Sequence, residues 1–554
     1  MLDEENTFVQ EPILPEGAPE ETAIPEAEET VIQEEISQPS KKKKKLLPLF
    51  LGIIAAIIVV IIAIVVLSSG KSSAGPSAGI EPVTVEALMN DDGTAYIPLY
   101  DGTCITINDE VEAATLTKDR MHIVVMLQDG TLYVTDSQQS SKTVIADNAF
   151  SVIAVKNDGF LYKDKDEIAH RVYFTDFSNL EIGKDIAVKV AENTLSVVYA
   201  TDEGHIYTLP ATATEATKVG SFENTAKLEG ISDDGQISVW ADKNDSSHTI
   251  YLNEGDNREN LGTVNSKYDG TYVTFTDDQK LTVITNYYSD KMWIKAAGGE
   301  TIEVKLAAET SKATVYTENG QLCDDIADNV KSLYITTEGD SGDNLYNITL
   351  TGDRERVLSK IGNYAIVNGI LFYTDSENDL FYGKISGAEI QEPTKISSDV
   401  DIFNVTENGN YVYYAKNYED ETATLYCYKL GTDEPVRVAS EVACYKAWNY
   451  GWTYNVYSTD GATVFYFKDL EDIEDTYSDH GTLMAWTYGN ESSQKIAGEV
   501  LTYSIESGIS QGNVKANSLM FLKYTSTDAD ENIYANWMYY NGSETIKIAA
   551  DVIK

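Results

Sequence analysis

The chain has 554 residues, with 89 acidic against 41 basic side chains and a formal net charge of −48. A surface this acidic repels nucleic-acid phosphates, which argues against a nucleic-acid partner and leaves basic peptides or divalent cations as the charged species it attracts. Its four cysteines include no C-x-x-C pair, so a zinc knuckle, a thioredoxin-like site and a disulfide framework are all excluded.

Residues 1–40 carry 12 acidic and no basic side chains, are rich in Glu and Pro, and hold Phe8 as their one aromatic. Such a segment cannot bury enough apolar surface to offset its chain entropy, so it reads as a disordered acidic tail. Lys41 to Lys45 form an unbroken basic run, and Leu46 to Leu67 contain no charge. At about 1.5 Å per residue these 22 residues make a helix of roughly 33 Å, the thickness of a bilayer core. The run is too long for the apolar part of a signal peptide, starts too late, and precedes no A-x-A cleavage site. It is therefore read as an uncleaved signal anchor over residues 46–68, with 41–45 as its polylysine stop. The lysines place residues 1–40 in the cytoplasm and the C-terminal part outside, as a single-pass cell-membrane protein. Residues 69–79, rich in Ser, Gly and Ala, are a flexible linker.

Residues 80–554 repeat with a period of roughly 40–50 residues, the mark of an array of small β units. Residues 401–442 contain four β-rich runs, enough for one four-stranded antiparallel blade. Asp-Gly or Asn-Gly steps recur at Asp129-Gly130, Asp158-Gly159, Asp234-Gly235, Asp269-Gly270, Asn319-Gly320, Asn368-Gly369 and Asn408-Gly409, each suited to a tight hairpin turn. A Leu/Ile-Tyr pair returns at Leu132, Leu161, Ile206, Ile250, Leu345, Leu425 and Ile533, as if filling one packing slot per unit. A third motif closes units at 107–111, 145–148, 326–330, 396–400, 438–442, 496–500 and 548–552. The N-terminal copy has too little chain before it for a whole blade, so the ring is expected to close by pairing the distant ends, removing exposed sheet edges. The expected fold is all-β: a propeller of about eight blades, or two consecutive propellers, preceded by one transmembrane helix and a disordered tail.

Tyr133-Val-Thr-Asp136, Tyr173-Phe-Thr-Asp176, Tyr199-Ala-Thr-Asp202, Phe372-Tyr-Thr-Asp375 and Tyr457-Ser-Thr-Asp460 resemble the Tyr-Trp-Thr-Asp signature of propellers in low-density-lipoprotein-receptor-related proteins. With the lysine-flanked anchor, the chain is similar to membrane-anchored surface proteins of Gram-positive type whose propeller domain is named after that receptor family. The second position is never Trp here. The resemblance implies a propeller and no particular ligand, because propellers host enzymes and binding modules alike.

No nucleophile elbow, H-E-x-x-H, Walker A or dinucleotide-binding motif is present. The five histidines, His122, His170, His205, His248 and His480, are far apart in sequence. Residues 232–240 have the wrong glycine spacing for the Asp box of sialidase-like propellers and read as a tight turn. The acidic stretches 340–344, 375–379 and 528–532 lack the calcium-loop register, so Ca²⁺ is supported by no specific motif and no cofactor is expected. Trp448, Tyr450, Trp452 and Tyr454 alternate along the chain and, on a strand, project from one face; they are the candidate ligand face for a sugar or peptide. Tyr534, Trp537, Tyr539 and Tyr540 form a second aromatic cluster. Cys427 and Cys444 are the cysteines nearest in sequence and the candidate disulfide. The expected function is a non-enzymatic, membrane-anchored extracellular propeller that binds or scaffolds an extracellular protein, peptide or glycan. The rival is an extracellular hydrolase or lyase acting on envelope glycan or peptide in the propeller channel.

Overall fold

A computed structural model describes residues 84–99, 102–265, 270–287, 289–312, 314–447, 450–453, 455–473, 478–502, 504, 517–529 and 531–553. They lie in one compact unit, Ala78–Lys554. The acidic tail, the lysine run, the apolar segment and the linker fall outside the described residues. Among the described residues no helix is long and apolar enough to cross a membrane.

The described chain is all-β, with 43 strands and two short 3-10 helices. The strands form nine antiparallel sheets, most of them four-stranded and in sequence order. One sheet has ten strands, but it is held together at two places by single-residue pairings, Val500 with Lys523 and Met89 with Ile553. Divided there, it contains three repeats, and the described residues contain eleven. We number them along the chain: 88–107, 111–146, 149–184, 187–221, 225–265, 271–305, 310–361, 364–397, 402–447, 456–501 and 519–553. Repeat 7 reaches its fourth strand through Tyr316, whose amide and carbonyl both pair with Tyr334.

Strand chemistry follows position in the sheet. The second strands are buried on both faces and rich in β-branched and apolar residues: Leu281–Asn286 is buried at every position, as is Ser332–Thr337. The fourth strands alternate or stay exposed, as in Glu389–Ser397, where glutamates, a lysine and Pro393 blunt the outer edge. The first strands of neighbouring repeats touch one another, Ala187–Val190 with Thr225–Ile231 and Thr225–Ile231 with Thr271–Phe275, so the first strand of each repeat is the inner one.

Each sheet buries its two faces against the repeats before and after it. Val124, Leu132 and Val134 of repeat 2 pack on Phe160 and Val172 of repeat 3. Leu161 of repeat 3 packs on Val197 of repeat 4. The same holds at every later boundary, through Val219 and Trp240, Leu252 and Trp293, Met292 and Ile335, Tyr334 and Leu371, Phe372 and Val412, Tyr413 and Tyr466, and Phe465 with Phe521. The cycle then closes. Leu522, Trp537 and Val552 of repeat 11 pack on Leu88 and Tyr96 of repeat 1, whose Ile97 and Ile107 pack on Leu116 and Ile123 of repeat 2. Repeat 1 begins with only two short strands before Cys104–Ile107, and Ile553 from the far end of the chain completes its inner side through Met89. The Tyr534 hydroxyl donates to Asp91 at 2.8 Å across the same seam. Gly102, at φ +88°, lies against the Tyr539 ring so closely that a Cβ would fall 2.5 Å from it. This is a β-propeller closed by its two ends, as expected, with eleven repeats in place of about eight. Packing passes without interruption from repeat 1 to repeat 11, which is one cycle and not two consecutive propellers.

The closing motif has a backbone cause. Asp399, Glu441, Glu499 and Asp551 all take positive φ, between 51° and 58°, and the valine that follows each is buried. The left-handed residue kinks the outer strand so that the next side chain turns into the adjacent interface. The copy at 326–330 is an exception: it forms a 3-10 turn, Ala327–Asn329, between the first and second strands of repeat 7. Leu132, Leu161, Ile206, Ile250, Leu345, Leu425 and Ile533 are all buried, but the pairs do not fill one slot per unit: Leu161 lies in the second strand of its repeat, and Leu132, Ile206, Ile250, Leu345 and Leu425 lie in third strands. The Tyr-x-Thr-Asp tetrapeptides do not mark one repeated place. Tyr133 and Tyr173 lie in third strands, Tyr199 and Phe372 in second strands and Tyr457 in a first strand.

Closure predicts a specific weakness. Val552→Ala removes fully buried volume at the seam and is expected to lower stability by about 2 kcal/mol in denaturant unfolding. Val552→Asp is expected to open the ring, seen as a larger radius of gyration in X-ray scattering and new proteolytic cleavage near residues 88–107. An unchanged radius and digestion pattern would contradict end-to-end closure.

Candidate functional site

The turns between first and second strands lie at one end of the inner strands and form the rim of one mouth of the ring. Five of them share a local device. The hydroxyl of Thr117, Ser232, Thr276, Thr406 or Ser458 donates to the Asp or Asn two residues on, at 2.6 to 2.9 Å, and accepts an amide from five residues on. The turn is thus fixed before any neighbour is met. The tight turn expected at 232–240 is one of these.

The turns are also joined to one another. Asp119 donates its amide to Asn157 at 2.9 Å, and the Lys156 ammonium reaches the Glu192 carbonyl. Asn193 holds both carboxylate oxygens of Asp233 at 2.9 Å, and the Asp233 amide donates to Gln279 at 3.3 Å. Asp277 donates to the Asp325 carbonyl at 2.9 Å, while Ala327 donates to Asp278 at 3.0 Å. Asn368 donates to the Asn319 carbonyl from its backbone at 2.8 Å and to the Asn408 carbonyl from its side chain at 3.2 Å; Asn408 in turn reaches Asp460 at 2.8 Å. A polar girdle therefore runs from repeat 2 to repeat 10. Sequence reading treated Asp-Gly steps one by one and missed it, although a Ser or Thr two residues before Asp or Asn was a readable signal.

The girdle carries Asp119, Asp158, Asp233, Asp277, Asp278 and Asp460. Burial pushes the Asp158 carboxyl above the usual carboxylate range, with Arg171 and Lys156 opposing it. Burial pulls the Lys156 ammonium below the usual lysine range, against Asp233, Glu192 and Asp158. Asp278 also feels burial, but the amide of Ala327 and the hydroxyl of Thr276 bring its carboxyl below the usual value.

Beside the girdle lies a cavity of about 420 Å³ on the inner surface. Its walls are the strand Val85–Glu86, which runs antiparallel along the inner edge of Val111–Leu116, and the inner strand Ala149–Val155 of repeat 3. Its lining mixes apolar side chains, among them Ala87, Met89 and Val152, with Thr84, Glu86 and Lys156, and more of the exposed lining is polar than apolar.

Of the candidate ligand face, Trp448 and Tyr454 lie outside the described residues. The backbone of Tyr450–Thr453 is a strand, as the alternation requires, and pairs with residues 444–447 in a hairpin beside the inner strand of repeat 9. The second aromatic cluster is core: Trp537, Tyr539 and Tyr540 are buried, and Tyr534 is held by Asp91 and Asp528. The histidines are dispersed into packing. His122 stacks on Phe174, His170 stacks on Tyr162 and meets Asp164 at 3.2 Å, and His480 stacks on Tyr524. The acidic stretches are used by turns: Asp375 accepts the amides of Glu377 and Asp379, and Asp528 those of Asn532 and the Tyr534 hydroxyl. Among the described residues no cluster of His, Cys, Asp or Glu could hold a metal ion.

Cys427 and Cys444 are not bridged to each other, which corrects the candidate disulfide. Cys427 pairs with Val436 at one end of the hairpin, whereas Cys444 lies just beyond the Thr422–Ala443 pair at the other. Five residues of strand separate them, more than about 15 Å, and a disulfide needs Cα atoms within about 7 Å. Burial pushes the Cys427 thiol up to about 12 and the Cys323 thiol up to about 11.

No known protein family and no curated protein matches the sequence. Among solved structures, the tricorn protease shares 10% identity over 86% of this chain and 63% of its own, at a TM-score of 0.28. A eukaryotic initiation factor shares 11% over 72% of this chain and 97% of its own, at 0.36. The oligogalacturonate lyase of Vibrio parahaemolyticus shares 12% over 61% of this chain and 93% of its own, at 0.29. At scores this low, the propeller stands on sheet topology and closure.

Two outcomes follow. Thiol titration of the unfolded, unreduced protein is expected to count four thiols, and two would restore the bridge. Asp278→Ala is expected to cost about 1–3 kcal/mol through the lost Ala327 and Thr276 bonds, with Asp278→Asn recovering most of it. Because the folded carboxyl titrates below its unfolded value of about 3.9, the part of this contribution that depends on its charge is present above that pH and is lost as pH falls through the folded value. Acid titration should therefore narrow the gap between wild type and Asp278→Ala at low pH.

Proposed function

We propose that this protein is a non-enzymatic binding or scaffolding module, held at the outer face of a cell membrane by an anchor over residues 46–68. The observation that carries the reading is the closed ring of repeats downstream of a lysine-flanked apolar run. The ring supports a binding role because its histidines and turn carboxylates are engaged in packing and in turn hydrogen bonds, while its inner strands keep open edges. The lysine run and the single-pass anchor support a cytoplasmic N terminus and an extracellular ring. The acidic surface supports a protein, peptide or glycan partner over nucleic acid.

The test is topological. With one epitope tag before residue 1 and another after residue 554, the C-terminal tag should be reached by antibody on intact cells and the N-terminal tag only after permeabilisation. The reverse pattern, or both tags in the soluble fraction, would overturn the placement.

A further inference from the structure

The faces of these sheets are consumed by packing, but the edges of the inner strands are not. In repeats 3, 4, 5, 6 and 8 the first strand is the last member of its sheet, with hydrogen-bonding partners on one side only. Repeat 2 differs. Val85 pairs with Leu116 and Glu86 with Thr115, and the Ala87 amide donates to the Ala114 carbonyl at 2.8 Å. There an extended segment adds a fifth strand to the inner edge, and the cavity lies between this added strand and the next inner edge, Ala149–Val155.

That edge is chemically ready for a strand. Lys156 donates its amide to Gly159, so by the alternation of an antiparallel ladder Val155 turns its amide and carbonyl to the open side. Val152, Ala154 and Val155 are half-buried; Val152 and Val155 pack with Ala113 against the core between repeats 2 and 3, and Ala87 and Met89 line the cavity beside them. The volume, about 420 Å³, is within the usual range of ligand pockets, roughly 300–1,000 Å³. We propose that the cavity is a peptide site: an extended peptide adds antiparallel to the inner edge of repeat 3, as Val85–Glu86 does on repeat 2. Main-chain hydrogen bonds to Val155 supply the pairing, and the volume of the cavity limits the side chains. The rim carboxylates Asp158, Glu192 and Asp233 lie at the end where such a peptide begins, and favour an amine or basic residue there.

This site rests on the reading of the ring as a binding module and names its ligand class. The test uses the full chain in detergent micelles and, as probe, a labelled capped peptide with the sequence of residues 84–89, Thr-Val-Glu-Ala-Leu-Met. Binding by fluorescence anisotropy should be accompanied by at least about tenfold slower amide exchange at residues 153–156. The same peptide N-methylated at alternate residues should bind at least about tenfold more weakly, because it keeps its side chains and loses its donors. Val155→Pro, which removes the open donor on an edge strand, should weaken the probe equally. If that variant fails to fold, the N-methylated peptide decides alone. Equal binding of the N-methylated peptide, no binding at all, or protection at residues 113–116 in place of 153–156 would overturn the proposal. Loss of peptide binding with the expected tag topology removes the site only, whereas peptide binding with reversed topology removes the surface placement only.

Discussion

Every sheet in this chain is apolar on both faces, and that constraint decides the architecture. A four-stranded sheet with Trp293 on one face and Met292 on the other has no stable surface to give to water. It can only be one layer among others, so each repeat demands the next. A linear stack would leave two apolar faces at its ends, and here those faces cover each other. Val552 and Trp537 bury Leu88 and Tyr96, so the cost of exposing the ends is removed by bringing together residues more than four hundred positions apart. The chain-entropy cost of bringing such distant residues together grows only slowly with their separation, so the buried apolar area at the seam can offset it.

The period, the all-β class and the closure by distant ends were legible because they follow from composition and spacing. The number of repeats was not. Repeat 7 hides its inner strand behind an inserted pair of 3-10 turns, and a hairpin at 444–453 interrupts the passage from repeat 9 to repeat 10. Both insertions break the spacing without breaking the packing. The Tyr-x-Thr-Asp pattern misled for a different reason. Asp136, Asp176, Asp375 and Asp460 each cap the turn that follows a strand, accepting amides two residues on. A strand that ends in an Asp-capped turn produces that pattern at any position in a sheet, so turn chemistry alone accounts for its recurrence.

Candidate site residues were legible only as far as local geometry reaches. Alternation in 448–454 does identify a strand at 450–453, and the tight turn at Ser232 was recognised. What a single sequence does not display is which aromatic faces a neighbour. Trp537 and Tyr540 look as adhesive as any exposed ring, and they are buried because repeat 11 has a repeat on each side. The same logic explains the cysteines: closeness in sequence along a hairpin is no guide when two residues sit at its opposite ends.

A division of labour between faces and edges follows from the ring. Side chains on the sheet faces hold repeats together, and the turn hydroxyls and carboxylates hold the rim, so most of the polar and apolar groups that could meet a ligand are already committed. The inner backbone edges are the groups left over, and they are strong donors and acceptors. A strand can pair with them where the surroundings hold the chain in register, and Val85–Glu86 shows that the inner surface does this for one extended segment. The neighbouring inner strand, Ala149–Val155, is the last member of its sheet. Carboxylates at the rim act over about 8–10 Å at physiological salt, enough to orient a basic end at the mouth but not to bind it alone. Affinity must then come from the backbone pairs and the cavity walls, and specificity from side chains that fit a volume of about 420 Å³.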